Sequence, residues 1–86
     1  MELEEQIKTL LEGELPGASA QVERDEETGK IGGHIIWDGF EGYNSLKRQN
    51  RIFGLLRRNL NASQLQANLS YIFTYTPAEY AQQEAA

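Results

Sequence analysis

The sequence predicts an α+β domain, a two-layer sandwich in which helices cover one face of a three-stranded mixed sheet. Two observations predict it. Apolar residues recur at helical spacing in some segments and at strand spacing in others, and these segments follow the order α-β-β-α-α-β-α. A chain of 86 residues forms one domain with a modest core. We place that domain at residues 1–80 and expect a frayed tail at residues 81–86.

The first helix is predicted over residues 2–12, and Gly13 ends it. Its first turn is rich in glutamate, which the positive end of the helix dipole favours. One stripe along this segment is apolar, as expected of a helix that packs on a core. The stripe consists of Leu3, Ile7, Leu10 and Leu11.

A β-hairpin is predicted next. Apolar and polar residues alternate over residues 18–23, which is typical of a strand with one buried face. A polar turn at residues 25–30 leads into a returning strand at residues 31–37. Gly32 and Gly33 near the start of that strand indicate a bulge or a close approach of two backbones.

A basic helix is predicted from Asn44 or Ser45 to about Leu60. Gly54 in its interior costs up to about 1 kcal/mol relative to alanine, so either the helix breaks there or a neighbour packs close. We expect two helical pieces or one bent helix. Residues 59–63 form a polar terminator. The expected apolar side of the helix consists of Leu46, Ile52, Phe53, Leu56 and Leu60.

The longest alternation in the chain runs over residues 64–75 and predicts the last strand. The segment Thr76-Pro77-Ala78-Glu79 then has the form of a helix N-cap, a first-turn proline and a capping-box acid, so a short final helix should include Tyr80. One side of the strand is formed by Leu65, Ala67, Leu69, Tyr71, Phe73 and Tyr75.

Composition excludes several classes of function. The chain has no cysteine, which excludes disulfides, zinc–thiolate sites and a cysteine nucleophile. It has no long apolar run and no basic, apolar leader, so we expect a soluble cytoplasmic protein with no membrane partner. Because no catalytic triad, phosphate-binding loop or His-Glu-x-x-His motif is present, we do not expect an enzyme.

Charge is distributed unevenly along the chain. The net charge is −5, yet residues 43–78 carry five basic side chains and no acidic one. The basic helix is therefore either a solvated face that complements the acidic first helix or a surface for an anion or a partner protein. The five side chains are Lys47, Arg48, Arg51, Arg57 and Arg58.

Several short motifs occur in a fixed order along the chain. They are Phe40-Glu41-Gly42, Leu46-Lys47-Arg48-Gln49, Ile52-Phe53-Gly54, Leu65-Gln66-Ala67 and Thr76-Pro77-Ala78-Glu79-Tyr80. In this order and spacing the motifs resemble those of the BolA family. The glutamine at Gln49 is similar to the acid-stress branch of that family, which often has glutamine where other members have Arg-His-Arg. The resemblance implies the same α-β-β-α-α-β order with a terminal helix, a topology shared by type II KH domains.

The resemblance implies a small adaptor or regulator. BolA proteins pair with monothiol glutaredoxins, with or without a shared glutathione-ligated [2Fe–2S] cluster, in iron–sulfur trafficking and in redox or stress signalling. Some members bind DNA as transcription regulators. The family's cluster ligands are a histidine at the start of the last strand and a histidine or cysteine in the loop between the first two strands.

This sequence departs from that ligand pattern. The strand-start histidine falls on Gln66, or on Asn68 if the gap is moved, and the turn at residues 25–30 has neither histidine nor cysteine. His34 is the only histidine and is a weak candidate for a metal ligand. We therefore expect no intrinsic cofactor and a glutaredoxin partner that docks without conventional cluster ligation by this chain. A [2Fe–2S] cluster shared with that partner is the alternative, which these residues disfavour.

A docking surface is predicted where the basic helix, the start of the last strand and the final helix meet. Its residues are Tyr43, Lys47, Arg48, Arg51, Gln66 and Tyr80. The alternative is a KH-like DNA-binding regulator. That regulator would use Arg48, Arg51, Arg57 and Arg58. In either case we expect a monomer or a weak homodimer.

Overall fold

A computed structural model describes residues 2–85 and shows the predicted α+β architecture, with four helices and a three-stranded mixed sheet. The elements in chain order are α1 (Leu3–Glu14), β1 (Ser19–Arg24), β2 (Ile31–Ile36), a 3₁₀ turn (Asp38–Phe40), α2 (Ser45–Asn59), α3 (Ala62–Asn68), β3 (Leu69–Tyr75) and α4 (Pro77–Ala85). Residues 81–85 of the predicted tail are thus helical, and Ala86 lies outside the described residues. No helix within residues 2–85 is long and apolar enough to cross a membrane.

The sheet has the order β1-β2-β3, with an antiparallel hairpin and a parallel third strand. The register places Ala20 opposite Ile35 and His34 opposite Phe73. The pairing of β2 with β3 shifts between Ile31 and Gly33, so the bulge expected at the two glycines is confirmed. The same glycines also bring backbones close together, because a Cβ on Gly33 would overlap the backbone of β1.

The core lies between the sheet and the helices α1 and α2. Ile7 of α1, Ile52 of α2 and Ile72 of β3 have no solvent exposure, and Phe40 of the 3₁₀ turn is equally buried. Because side chains alternate along each strand, the opposite sheet face carries His34 and the side chains that pair with it. This outer face is away from the core helices.

The last strand is shorter than predicted, and its exposed side is the aromatic one. Residues 62–68 form a helix because the Asn61 side chain caps it, accepting a hydrogen bond of 3.1 Å from the backbone N–H of Gln64. A short helix with a single buried residue does not need a repeating apolar stripe. Leu65 is the one buried residue of α3, so the residues predicted as a strand can also form this helix. In β3 the core residue is Ile72, whereas Tyr71 and Phe73 are 43% and 54% exposed.

The prediction of a break or a close neighbour at Gly54 is wrong. Helix α2 continues through this glycine, and within the described structure no atom beyond the adjoining part of α2 itself lies within 4 Å of the point that a Cβ would occupy. Buried Ile52 and Leu55 hold the helix to the core on both sides of Gly54. Leu46 is 68% exposed, because the first turn of α2 precedes the point where the helix reaches the core.

Candidate docking surface

The exposed side of α2 is a shallow basic groove of about 360 Å³. The Lys47 ammonium lies 5.6 Å from the centre of the Tyr43 ring, and the Arg51 guanidinium lies 5.9 Å from the Trp37 ring. Both distances are typical of cation–π interactions, which hold the two cations over aromatic rings while their charge stays accessible. We call this surface the α2 face. It is lined by Tyr43, Lys47, Asn50, Arg51, Gly54 and Arg58.

No cation of the α2 face is paired with an acid within the described part of the chain. Two acids of α1 have other partners: Glu12 pairs with Lys8 at 2.9 Å, and Glu4 pairs with Arg24 at 3.4 Å. The structure of residues 2–85 therefore shows no ion pair between the cations of the α2 face and the acids of α1, which was the first of the two interpretations of the basic helix. The positive charge of the α2 face therefore points to solvent.

Arg48 has a different environment from the other cations of α2. Its side chain is only 11% exposed, and its two terminal nitrogens donate to the Glu79 carboxylate at 2.7 Å and 3.1 Å. It also donates to the backbone carbonyls of Tyr43 at 2.9 Å and Thr74 at 3.4 Å. This Arg48–Glu79 latch fastens α4 to α2 and uses most of the hydrogen-bonding capacity of the guanidinium.

The latch predicts a specific dependence of stability on pH. The guanidinium of Arg48, and then the backbone N–H of Thr76, lower the pKa of Glu79 from its usual 4.5 to about 2. A lowered carboxyl pKa stabilises the fold fully above about pH 4.5, and this stabilisation is lost as the pH falls towards about 2. Urea unfolding across this window should therefore show a smaller loss of stability for Glu79→Gln than for the wild type. Parallel curves for the two proteins would contradict the latch.

Helix side chains cap part of each edge of the sheet. At β1, the Glu12 carboxylate accepts from the backbone N–H of Ala20 at 3.0 Å, and the Lys8 ammonium donates to its carbonyl at 2.9 Å. That N–H and the Lys8 ammonium lower the pKa of Glu12. At β3, Gln49 donates to the carbonyl of Ile72 at 2.9 Å, and Arg48 reaches the next outward carbonyl. At these points the edges have fewer free backbone groups with which a partner strand could pair.

A second polar cluster joins the hairpin turn to the junction of α3 and β3. The Lys30 ammonium donates to the carbonyl of Ala67 at 2.6 Å. The Arg24 guanidinium donates to the carbonyl of Gly29 at 2.6 Å and to the side-chain oxygen of Asn68 at 3.4 Å. We call these contacts the clasp, because they tie two segments that are far apart in sequence.

Comparison with solved structures shows what the fold and sequence are similar to. The structure of a BolA protein homologue from Coxiella burnetii aligns with a TM-score of 0.67 and 28% identity, covering 94% of this chain and 99% of that chain. The chain is BolA-like. BolA1 from Arabidopsis thaliana aligns with the same TM-score and identity, covering 92% of this chain and 96% of that chain. No protein-family model and no curated protein sequence matches the BolA-like chain.

The clasp occupies the positions at which the BolA resemblance expects cluster ligands. Iron–sulfur clusters take thiolate or imidazole ligands. Here the strand-start positions are Gln66, an exposed amide, and Asn68, an amide that donates to Gln64 at 2.8 Å. At the other expected ligand position, Lys30 in the hairpin loop and Arg24 at the end of β1 are cations that already bond to backbone carbonyls. These side chains do not fit a shared [2Fe–2S] cluster.

His34 lines one surface cavity of about 710 Å³ together with Arg24 and Lys30 of the clasp, but these two cations cannot complete a cluster site around its imidazole. Its ring is on the outer sheet face and stacks on Tyr80 at a centroid distance of 5.0 Å. The Tyr75 ring meets it edge-on at 6.1 Å. Within residues 2–85, no group of three histidine, cysteine, aspartate or glutamate side chains is arranged to hold a metal ion.

The structure brings together only part of the docking surface predicted for the BolA-like chain. Tyr43, Lys47 and Arg51 share the α2 face. Gln66 lies beside the clasp, and Tyr80 lies on the outer sheet face. Arg57 is exposed near the end of α2 but does not line the groove. Asn50 and Gly54 were not among the predicted docking residues, although residues 47, 51, 54 and 58 are spaced along one helical stripe, and this spacing indicates the groove.

Proposed function

We propose that this BolA-like chain is a non-catalytic adaptor that docks a monothiol glutaredoxin-type partner in iron–sulfur, redox or stress signalling. It does so through the α2 face and without conventional cluster ligation by its own side chains. One observation supports this proposal above all others. In a chain of net charge −5, the cations of the α2 face are exposed and unpaired within the described structure.

The physical properties of the α2 face suit a protein partner. Complementary charge across an interface raises the association rate and selects the partner. Tyr43, which is 42% exposed beside Lys47, can supply an aromatic anchor to the contact. Because helix side chains cap part of each sheet edge, a partner is expected to use a helix face rather than strand addition.

The alternative function is a KH-like DNA-binding transcriptional regulator. The observation in its favour is that Arg51, Arg57 and Arg58 are all exposed on α2. Arg48, the fourth arginine of this hypothesis, is held in the latch with Glu79. DNA affinity would depend on a few phosphate contacts against a net charge of −5, so we rank it second.

A titration separates the two functions. Isothermal titration with a monothiol glutaredoxin, and then with duplex DNA, is carried out at about 50 mM and about 200 mM salt. We expect glutaredoxin binding that weakens modestly with salt, and no measurable DNA binding. DNA binding that falls steeply with salt, without glutaredoxin binding, would reverse the order. With cluster-loaded glutaredoxin, the visible spectrum should stay unchanged on binding.

A further inference from the structure

Gly54 lies in the middle of the α2 face, between the cations Lys47 and Arg51 on one side and Arg58 on the other. Glycine destabilises a helix interior, and it is usually kept where φ is positive or where a neighbour comes close. Neither reason applies within the described structure: Gly54 has no positive φ, and nothing lies within 4 Å of its missing Cβ. The fold of this chain therefore does not explain the glycine.

We infer that a helix of the partner protein crosses α2 at Gly54 and that this helix is acidic. Two helices approach each other most closely where the residue at the crossing has no side chain. The cations on both sides of Gly54 would then face the flanks of the crossing helix. Carboxylates on those flanks are the groups that complement them. The inference rests on the proposed function, since it describes how the docked partner would touch the α2 face.

The spacing of the cations favours a helix over DNA. Lys47 and Arg51 are one turn apart, about 6 Å along the axis, and Arg58 follows about 10 Å further on. If the two helices cross at the shallow angle of about 20° that is common in helix pairs, glutamates one and two turns apart on the partner helix repeat at nearly the same intervals. Long basic side chains reach DNA phosphates without any need for a gap in the helix surface, so DNA binding leaves the glycine unexplained.

The test compares Gly54→Ala with a matched glycine substitution, Gly13→Ala. Both glycines lie in helices, lack a positive φ and have open space at the Cβ position. Each alanine should raise the melting temperature, by roughly 2–8 °C. Only Gly54→Ala should weaken glutaredoxin binding, by about tenfold, because its methyl group keeps the helices apart. A purely structural role for Gly54 cannot stabilise the protein and weaken its binding together.

Two further measurements separate failure of this inference from failure of the proposed function. If both glycine variants bind glutaredoxin as the wild type does, the helix crossing is overturned and the adaptor function stands. If the wild type does not bind glutaredoxin, the adaptor function fails.

The helix crossing is then tested with a synthetic alanine-rich helical peptide carrying glutamate at every fourth position. It should bind the wild type and Gly13→Ala equally, and Gly54→Ala more weakly. Equal binding of the peptide by all three proteins would overturn the helix crossing. Tighter binding of a peptide with lysine in place of glutamate would overturn it too, and so would binding of duplex DNA alone.

Discussion

Replacing Gly33 with alanine is expected to destabilise the protein by about 3 kcal/mol or more, enough to unfold a small domain. Gly33 has a φ of +155°, which side-chain-bearing residues rarely adopt. A Cβ there would also overlap the carbonyl of Gln21 on the neighbouring strand. The overlap involves backbone, which cannot turn away as a flexible side chain can. Relief would therefore require separation of β1 from β2.

Gly29→Ala is the control for this substitution. Gly29 also has a positive φ, +74°, but nothing lies within 4 Å of its Cβ position. Its replacement should cost only the backbone strain, about 1–2 kcal/mol. Urea unfolding of the two variants measures the difference. Equal losses would show that the strands separate freely at Gly33 and would contradict the close approach.

Phe40→Ala is expected to cost about 3–5 kcal/mol, the second large effect. Phe40 has no solvent exposure and lies in the turn between β2 and α2. The Trp37 ring meets it edge-on at 5.1 Å, and the Arg48 guanidinium lies 5.7 Å from its centre. The Trp37 ring also contacts the Arg51 guanidinium. Loss of the Phe40 ring should therefore also make the α2 face less ordered.

Phe40→Leu is the matched variant, since it keeps an apolar side chain and leaves a smaller cavity. Urea unfolding should show less than half the loss measured for Phe40→Ala. Where both variants remain folded, glutaredoxin affinity should fall in the same order as stability. An affinity unchanged in a destabilised but folded Phe40→Ala would show that the turn does not position the α2 face.

The order of elements was predictable because the periodicity of burial is written directly in the sequence. The hairpin around residues 25–30 and the glycines at its return needed only local rules of turn and strand geometry. The stretch 64–68 was not predictable in the same way. Its spacing fits both a strand and a helix, and the cap from Asn61 decides the outcome.

Which arginine of α2 is held in an ion pair and which stays accessible could also not be predicted from the sequence. Arg48 and Arg51 are three residues apart on one helix, yet Arg48 is held by Glu79 of α4 and Arg51 lies over Trp37. Which of them stays accessible depends on where α4 docks. The clasp likewise joins Lys30 to Ala67, residues that only the parallel pairing of β2 and β3 brings together.

The central claim is that the α2 face docks the partner, and a glutaredoxin titration of charge-matched variants tests it most directly. Lys47→Gln with Arg51→Gln removes two positive charges from the α2 face. Ser19→Glu with Gln21→Glu makes the same change in net charge on exposed positions of β1. The first pair should weaken glutaredoxin binding by about tenfold or more, and the second should leave it near the wild-type value. Equal affinities for the two double variants would contradict the claim.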